Sequence, residues 1–244
     1  MSGHSKWANI KHKKQANDKV RGLAFSKLSR VITLAVIEGG GMTDPAHNFK
    51  LRLIIEKARA LNMPKENIAR AIEKGSGPNK ALLKEVVYEG FAPHGISLII
   101  EASSDNPTRT YSEVRNCLEQ HGGKLGSQGS VSYLFEKCGM IKFDKDKVKE
   151  EDTLAFAEGM GASDIDSDEE TYTVYFPFGN LGKVKDHVGA LPSHPAEVDY
   201  KAQSLISIPV ENIKSVIAAI DALEALDDVH TVFSNIDIPD AFTL

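Results

Sequence analysis

Apolar residues along the first third of the chain recur at helical intervals. Ala24, Leu28, Val31, Ile32 and Ala35 follow an i, i+4, i+7, i+8, i+11 pattern, which predicts a helix over residues 22–38. Gly39-Gly40-Gly41 supplies the stop, because glycine takes the left-handed C-terminal conformation without steric cost. Thr43-Asp44-Pro45 reads as the next start, with Asp44 capping and Pro45 in the first turn. Leu51, Ile54, Ile55, Ala58 and Leu61 form a second stripe, broken by Asn62-Met63-Pro64. A third helix is predicted over residues 64–74, with Ile68, Ala71 and Ile72 inward and Gly75 as its end. Three helices with short connections predict a small bundle.

A linker, Gly75-Ser76-Gly77-Pro78-Asn79, separates this bundle from a part with a different period. Residues 86–91 and 96–102 read as strands around Pro93-His94-Gly95. Asn106-Pro107-Thr108-Arg109 opens a helix through about residue 121, Gly122-Gly123 ends it, and a strand is expected over 129–135. A second set follows: strand 140–143, an acidic run over 144–152, a short helix near 153–159, strand 172–176, helix 182–191 and an extended stretch 196–205. The last elements are a helix over 210–226, apolar at Ile213, Val216, Ile217, Ile220 and Leu223, and a strand over 230–236. The expected class is α+β: a three-helix bundle followed by ferredoxin-like α/β sandwiches built from strand–helix–strand units.

The 244 residues suffice for two or three domains, and 41% hydrophobic with 26% charged residues is ordinary for a soluble protein. No stretch approaches the roughly eighteen uncharged apolar residues that a membrane span needs, and no apolar run follows the basic N-terminus as in a secretory signal. Cys117 and Cys138 fall in different elements and form no C-x-x-C pair, so a reducing, cytoplasmic setting is expected.

Charge changes the picture more. Residues 1–80 carry 16 Lys/Arg against 6 Asp/Glu, a net +10, whereas the other 164 carry 13 against 28, a net −15. Within the first thirty residues Lys6, Lys11, Lys13, Lys14, Lys19, Arg21, Lys27 and Arg30 face a single acid, Asp18. Such a basic head on an acidic body either is a solvated tail or orients toward a polyanion. His4, His12 and Trp7, the only tryptophan, sit amid these cations. Trp7 either stacks on a base or staples the arm to the first helix. Together His4, Lys6, Trp7, Lys11, His12, Lys13, Lys14, Lys19, Arg21, Lys27 and Arg30 are candidate nucleic-acid contacts. Arg109 joins them, because a helix N-terminus with Thr108 and Arg109 offers donors suited to phosphate, unless the motif is an ordinary cap.

No pattern points to catalysis. The eight histidines are scattered, with neither H-E-x-x-H nor a cysteine at ligand spacing. Gly39-Gly40-Gly41 lacks the Gly-Lys-Ser/Thr of a phosphate loop. The acidic stretch 163–170 lacks the glycine and glutamate of a calcium loop and reads as a solvated loop. Ser2-Gly3-His4, if Met1 is removed, offers nitrogens suited to Cu(II) or Ni(II), an incidental property. The expectation is no catalytic residue, no metal and no cofactor. The glycines of 121–131 either let a backbone approach a nucleic acid or serve turns alone.

The run Gly3-His4-Ser5-Lys6-Trp7-Ala8-Asn9-Ile10-Lys11-His12-Lys13-Lys14 closely resembles the opening of the YebC family. That family includes bacterial proteins described as probable transcriptional regulators and the mitochondrial translational activator of a cytochrome oxidase subunit. The resemblance takes in residues 121–131 and runs almost to the C-terminus. It implies an arm and bundle over 1–79, a discontinuous ferredoxin-like domain over 80–134 and 206–244, and an acidic ferredoxin-like domain inserted at 135–205. Family members usually read Asp-Asn-Arg-Asn-Arg where this chain has Asp105-Asn106-Pro107-Thr108-Arg109, so only Arg109 carries over.

Charge and resemblance together lead to a non-enzymatic, nucleic-acid-binding regulator of gene expression with weak sequence specificity. DNA is the partner in the family's usual description. The resemblance equally implies a ribosome-associated translation factor that contacts ribosomal RNA or tRNA and relieves stalling at proline-rich stretches. A protein–protein adaptor using exposed sheet faces or edges is the third reading. No membrane partner is expected, and a monomer is favoured.

Overall fold

The computed structural model describes residues 18–77, 82–239 and 242, with side chains from Gly22 onward. It opens with three helices, α1 (Asp18–Glu38), α2 (Phe49–Ala60) and α3 (Lys65–Ser76). Leu28, Ile32, Ala35 and Val36 of α1 pack with Leu51, Ile55 and Ala58 of α2 and Ile68 and Ala71 of α3.

Two local expectations fail here. Asp44 does not cap α2. Its carboxylate holds a preceding turn by accepting from Ala46 N at 2.9 Å. The cap is Asn48, which accepts from Leu51 N at 3.1 Å and donates to the Ala35 and Met42 carbonyls at 2.9 and 3.2 Å. One buried amide thereby satisfies main-chain groups on both helices and the loop between them. Gly75 lies inside α3, where a Cβ would stand 2.7 Å from both Thr33 O and Val36 Cβ. Its role is close approach of α3 to α1, reinforced by Thr33 Oγ1 donating to Ala71 O at 2.9 Å.

The chain continues through β1 (Lys84–Phe91), β2 (Ser97–Ser104), α4 (Pro107–Gln120) and β3 (Lys124–Leu125). Then come β4 (Phe135–Asp144), α5 (Glu150–Met160), β5 (Asp164–Ser167), β6 (Thr171–Pro177), α6 (Val184–Val188) and β7 (Glu197–Ala202). It closes with β8 (Ile206–Ser207), α7 (Val210–Ala225), β9 (Val229–Ser234) and β10 (Ile236–Asp237).

The strands form two four-stranded antiparallel sheets, β3-β1-β2-β9 and β5-β6-β4-β7. The second has the ferredoxin-like order, made entirely within one continuous stretch of chain. The first draws β9 from beyond that stretch, with α4 and α7 on one face. Leu98, Ile100 and Ala102 there meet Val114, Leu118, Ile213, Val216 and Ile220. β1 lies between β3 and β2, and β8 pairs with β10 in a separate two-stranded parallel sheet. Between the sheets, Ile99 and Phe233 pack on Val131, Phe135 and Ala202. The molecule is thus α+β: N-terminal helices, then two sheet domains, one interrupting the other.

The strand expected over 129–135 is absent. Ser132–Leu134 is a single 3₁₀ turn, and extended chain resumes at Phe135, in the other sheet. The cause is Glu89 on β1. Its carboxylate accepts from the N–H groups of Gly129, Val131 and Ser132 at 2.7, 2.7 and 2.9 Å. Its carbonyl accepts from Gly126 N at 2.8 Å. One residue thus supplies the acceptors a neighbouring strand would have provided, and Gly129 takes a φ of 87° to make the bend.

The acidic stretch 163–170 is not simply a solvated loop. It contains β5, with Ile165 opposite Val174, and a turn closed by Asp168 accepting from Glu170 N and Thr171 N. β5 is an edge strand, where outward acids remain in water and discourage pairing with another chain. Among the described residues no helix is long and apolar enough to cross a membrane.

Candidate nucleic-acid interface

Of the expected contacts, His4, Lys6, Trp7, Lys11, His12, Lys13 and Lys14 lie outside the described residues. Lys19 and Arg21 belong to the start of α1, with side chains outside the description. The structure brings the remaining three, Lys27, Arg30 and Arg109, together around the α7–β9 turn.

Lys27 and Arg30 stand three residues apart on α1, hence on one face. Lys27 Nζ donates to the carbonyl of Glu224 in the last turn of α7, where the helix dipole favours a cation. Arg30 donates to Asp228 at 2.5 Å and to Ser103 O at 3.0 Å. Arg109 donates to Asp228 at 2.9 Å and to Asp105 at 2.8 Å, with Glu113 at 3.7 Å. The reading of Arg109 as an anion contact meets competition here, since a phosphate would have to displace these carboxylates. Asn106 is a cap, accepting from Arg109 N at 3.2 Å.

Asp228 is the residue this cluster is built on, and sequence reasoning missed it. Its side chain is only 3% exposed. It accepts from Arg30, Arg109 and Thr110 Oγ1, and its main-chain oxygen accepts from Ser103 N at 2.8 Å. Burial works to raise its pKa. The hydrogen bonds of Thr110 and Arg109 and the charges of Arg30 and Arg109 outweigh burial, so the group stays below the usual aspartate value.

Two further titratable groups lie at the same joint. His230 sits where β9 shifts register against β2, and among the described residues neither ring nitrogen has a hydrogen-bond partner. Burial, then Lys27 and Arg30, push its pKa down to about 3, so the imidazole is neutral. Glu101, opposite Thr231, is pushed up to about 7 by burial, against the pull of Lys137.

The bundle also touches the inserted domain. Lys57 pairs with Glu197, Arg52 donates to Gly182 O at 3.1 Å, and Leu53 packs among Ile141, Phe156 and Leu181. Four bundle cations, Lys27, Arg30, Arg52 and Lys57, therefore face body acceptors, and the +10 of the sequence overstates what the bundle turns outward. Arg59, Lys65, Arg70 and Lys74 are exposed, but Glu66 and Glu73 accompany them. The concentrated positive charge is that of residues 1–30.

Two family models match the chain. The TACO1/YebC protein N-terminal domain covers residues 5–78, and the TACO1/YebC second and third domain covers residues 83–236. A probable transcriptional regulatory protein of Thermoanaerobacter pseudethanolicus is 44% identical over 244 residues, 98% of each chain. Another from Aquifex aeolicus is 44% identical over 98% of this chain and 97% of its own. The crystal structure of a conserved hypothetical protein from Aquifex aeolicus superposes with a TM-score of 0.83 at 40% identity, covering 93% of this chain and 94% of that one. Matched from the basic N-terminal run through both sheet domains, the chain belongs to the TACO1/YebC family.

Proposed function

We propose that this protein is a nucleic-acid-binding regulator of gene expression that holds phosphates with residues 1–30 and the outer face of the bundle. The observation that carries the reading is charge segregation: seven net positive charges in thirty residues, on a chain whose last 164 residues carry −15. Two further points support it. The relatives are named probable transcriptional regulatory proteins. Lys27 and Arg30 fix α1 to the body, so the basic run leads directly into an anchored helix. Trp7 serves as a stacking or anchoring ring, and Arg109 works mainly at the joint.

Fluorescence anisotropy with a labelled DNA duplex and a labelled RNA hairpin, at matched salt, tests this reading. Both polyanions are expected to bind, with affinity falling steeply as salt rises. Failure to bind either at low salt would contradict it. Tighter binding to the hairpin would favour the translation-factor branch of the family resemblance over the transcriptional one.

A further inference from the structure

We infer that the turn carrying Tyr133 is a second nucleic-acid contact, a stacking platform for an unpaired base. This rests on the nucleic-acid reading above and adds a site on the acidic body to the one on the basic head. Tyr133 is 68% exposed, an unusual position for a large ring. It is not a loose side chain. Val131 and Phe135 on either side are buried in the cluster between the two sheets, and Leu134 packs on that cluster. Anchoring both flanks leaves the ring pointing away from the core. Glu89 fixes the backbone through the N–H groups of Gly129, Val131 and Ser132. A tyrosine on an anchored backbone has only its two side-chain torsions to order on contact, which suits it to recognition.

The surroundings select the partner. From Gln120 to Phe135 there is no acidic side chain, on a body otherwise rich in them. Lys124 sits 5.2 Å from the centroid of Phe91, and Phe91 packs on the same cluster as Val131 and Leu134. Through Phe91, a cation thus sits on the same cluster that anchors the turn. Ser127, Gln128 and Ser132 add polar groups without charge. An exposed ring on a turn that carries no acid of its own, with a cation on the cluster that anchors it, fits a single-stranded segment, because every base has a face to stack.

The test uses the full-length chain and a fluorescein-labelled oligouridylate of roughly a dozen nucleotides, within the usual range for such sites. Tyr133→Ala is expected to weaken binding at fixed salt by roughly five- to a hundredfold. The slope of log affinity against log salt should stay unchanged, because no phosphate contact is lost. Tyr133→Phe keeps the ring and is expected to stay within about twofold of wild type. Ultraviolet crosslinking should place the uridine adduct on Tyr133. Weakening of Tyr133→Ala by less than about twofold, equal loss in Tyr133→Phe, or an adduct only elsewhere would overturn the proposal. Replacing Lys11, Lys13 and Lys14 by Gln separates the two readings. If that change leaves the salt slope untouched, the role of the head fails, while the Tyr133→Ala ratio still reports on the turn. A wild-type chain that binds the duplex but not the oligonucleotide overturns the proposal for the turn and leaves the role of the head standing.

Discussion

Arg30 of the first helix donates to a carboxylate oxygen of Asp228 at 2.5 Å, across the joint between the bundle and the middle domain. Arg109 reaches the other oxygen of the same carboxylate at 2.9 Å. A single buried acid thus holds two arginines that composition alone counts as free positive charge. The joint has the chemistry of a clasp, and its members differ in how much each should matter.

Asp228→Ala removes the acceptor for both guanidiniums and for Thr110. Breaking a buried pair from one side typically costs about 3–5 kcal/mol, but the arginine side chains are 25% and 45% exposed, so water recovers part of that. Urea unfolding should show a loss of about 2–3 kcal/mol. Arg109→Gln should cost clearly less than Asp228→Ala, because Arg109 is the more exposed partner and water screens its pair. Equal effects of the two substitutions would contradict this ranking.

Glu101 and His230 give the joint opposing pH dependences. The folded pKa of Glu101, about 7, lies above its ordinary 4.5. Its contribution is present below the unfolded value and is lost as pH rises through 7. The folded pKa of His230, about 3, lies below its ordinary 6.5, so its contribution is present above 6.5 and is lost as pH falls toward 3. Between about pH 4.5 and 6.5 the two slopes cancel, each amounting to about 1.4 kcal/mol per pH unit. Glu101→Gln should therefore make stability rise with pH across that window, and His230→Leu should make it fall. Midpoints of urea unfolding at pH 5 and 6.5 check both signs. Two substitutions that tilt the profile the same way would refute the assignment.

Glu89→Gln replaces a carboxylate that accepts three N–H groups with an amide that presents donors to some of them. A hydrogen bond to a charged group contributes about 1.5–3 kcal/mol, so a total loss of about 2–4 kcal/mol is expected after partial rearrangement. Hydrogen exchange should accelerate at Gly129, Val131 and Ser132 before it does elsewhere in β1. Burial raises the Glu89 pKa, but the three backbone hydrogen bonds outweigh it and hold it below the usual glutamate value. The contribution is therefore present above the ordinary value of 4.5 and is lost as pH falls through the folded one.

Gly75→Ala and Gly22→Ala should move stability in opposite directions. Helix propensity alone favours alanine by about 0.5–1 kcal/mol at either site. At Gly22 no atom of the described residues outside its own helix backbone lies within 4 Å of the added carbon, so the gain should appear. At Gly75 the carbon meets Thr33 O and Val36 Cβ at 2.7 Å, and pushing α1 from α3 should cost about 1–3 kcal/mol. Thermal melts of the two variants decide it.

What was readable in the sequence was local. The stripe of Leu28, Ile32 and Ala35 and the Asn106 cap are decided by neighbours within a turn or two, and they stand where periodicity puts them. Gly75 misled because a glycine that ends a helix and one that lets two helices touch look alike in one dimension. Glu89 falls within the strand predicted over 86–91, and nothing nearby in the sequence points to the loop some forty residues on that it holds. Asp228 was only an acid in a turn until the fold delivered Arg30 and Arg109 to it. The candidate site shares this limit. Lys27, Arg30 and Arg109 were legible as positive charge, but which acids they would meet was not.

The salt dependence of duplex binding, compared between wild type and the variant with Lys11, Lys13 and Lys14 replaced by Gln, tests the central claim most directly. If about six phosphates are neutralised, log affinity should fall against log salt with a slope of roughly −5. Removing three of the cations should bring the slope to roughly −2 to −3. Identical slopes for the two proteins, or a flat dependence in the wild type, would contradict the account.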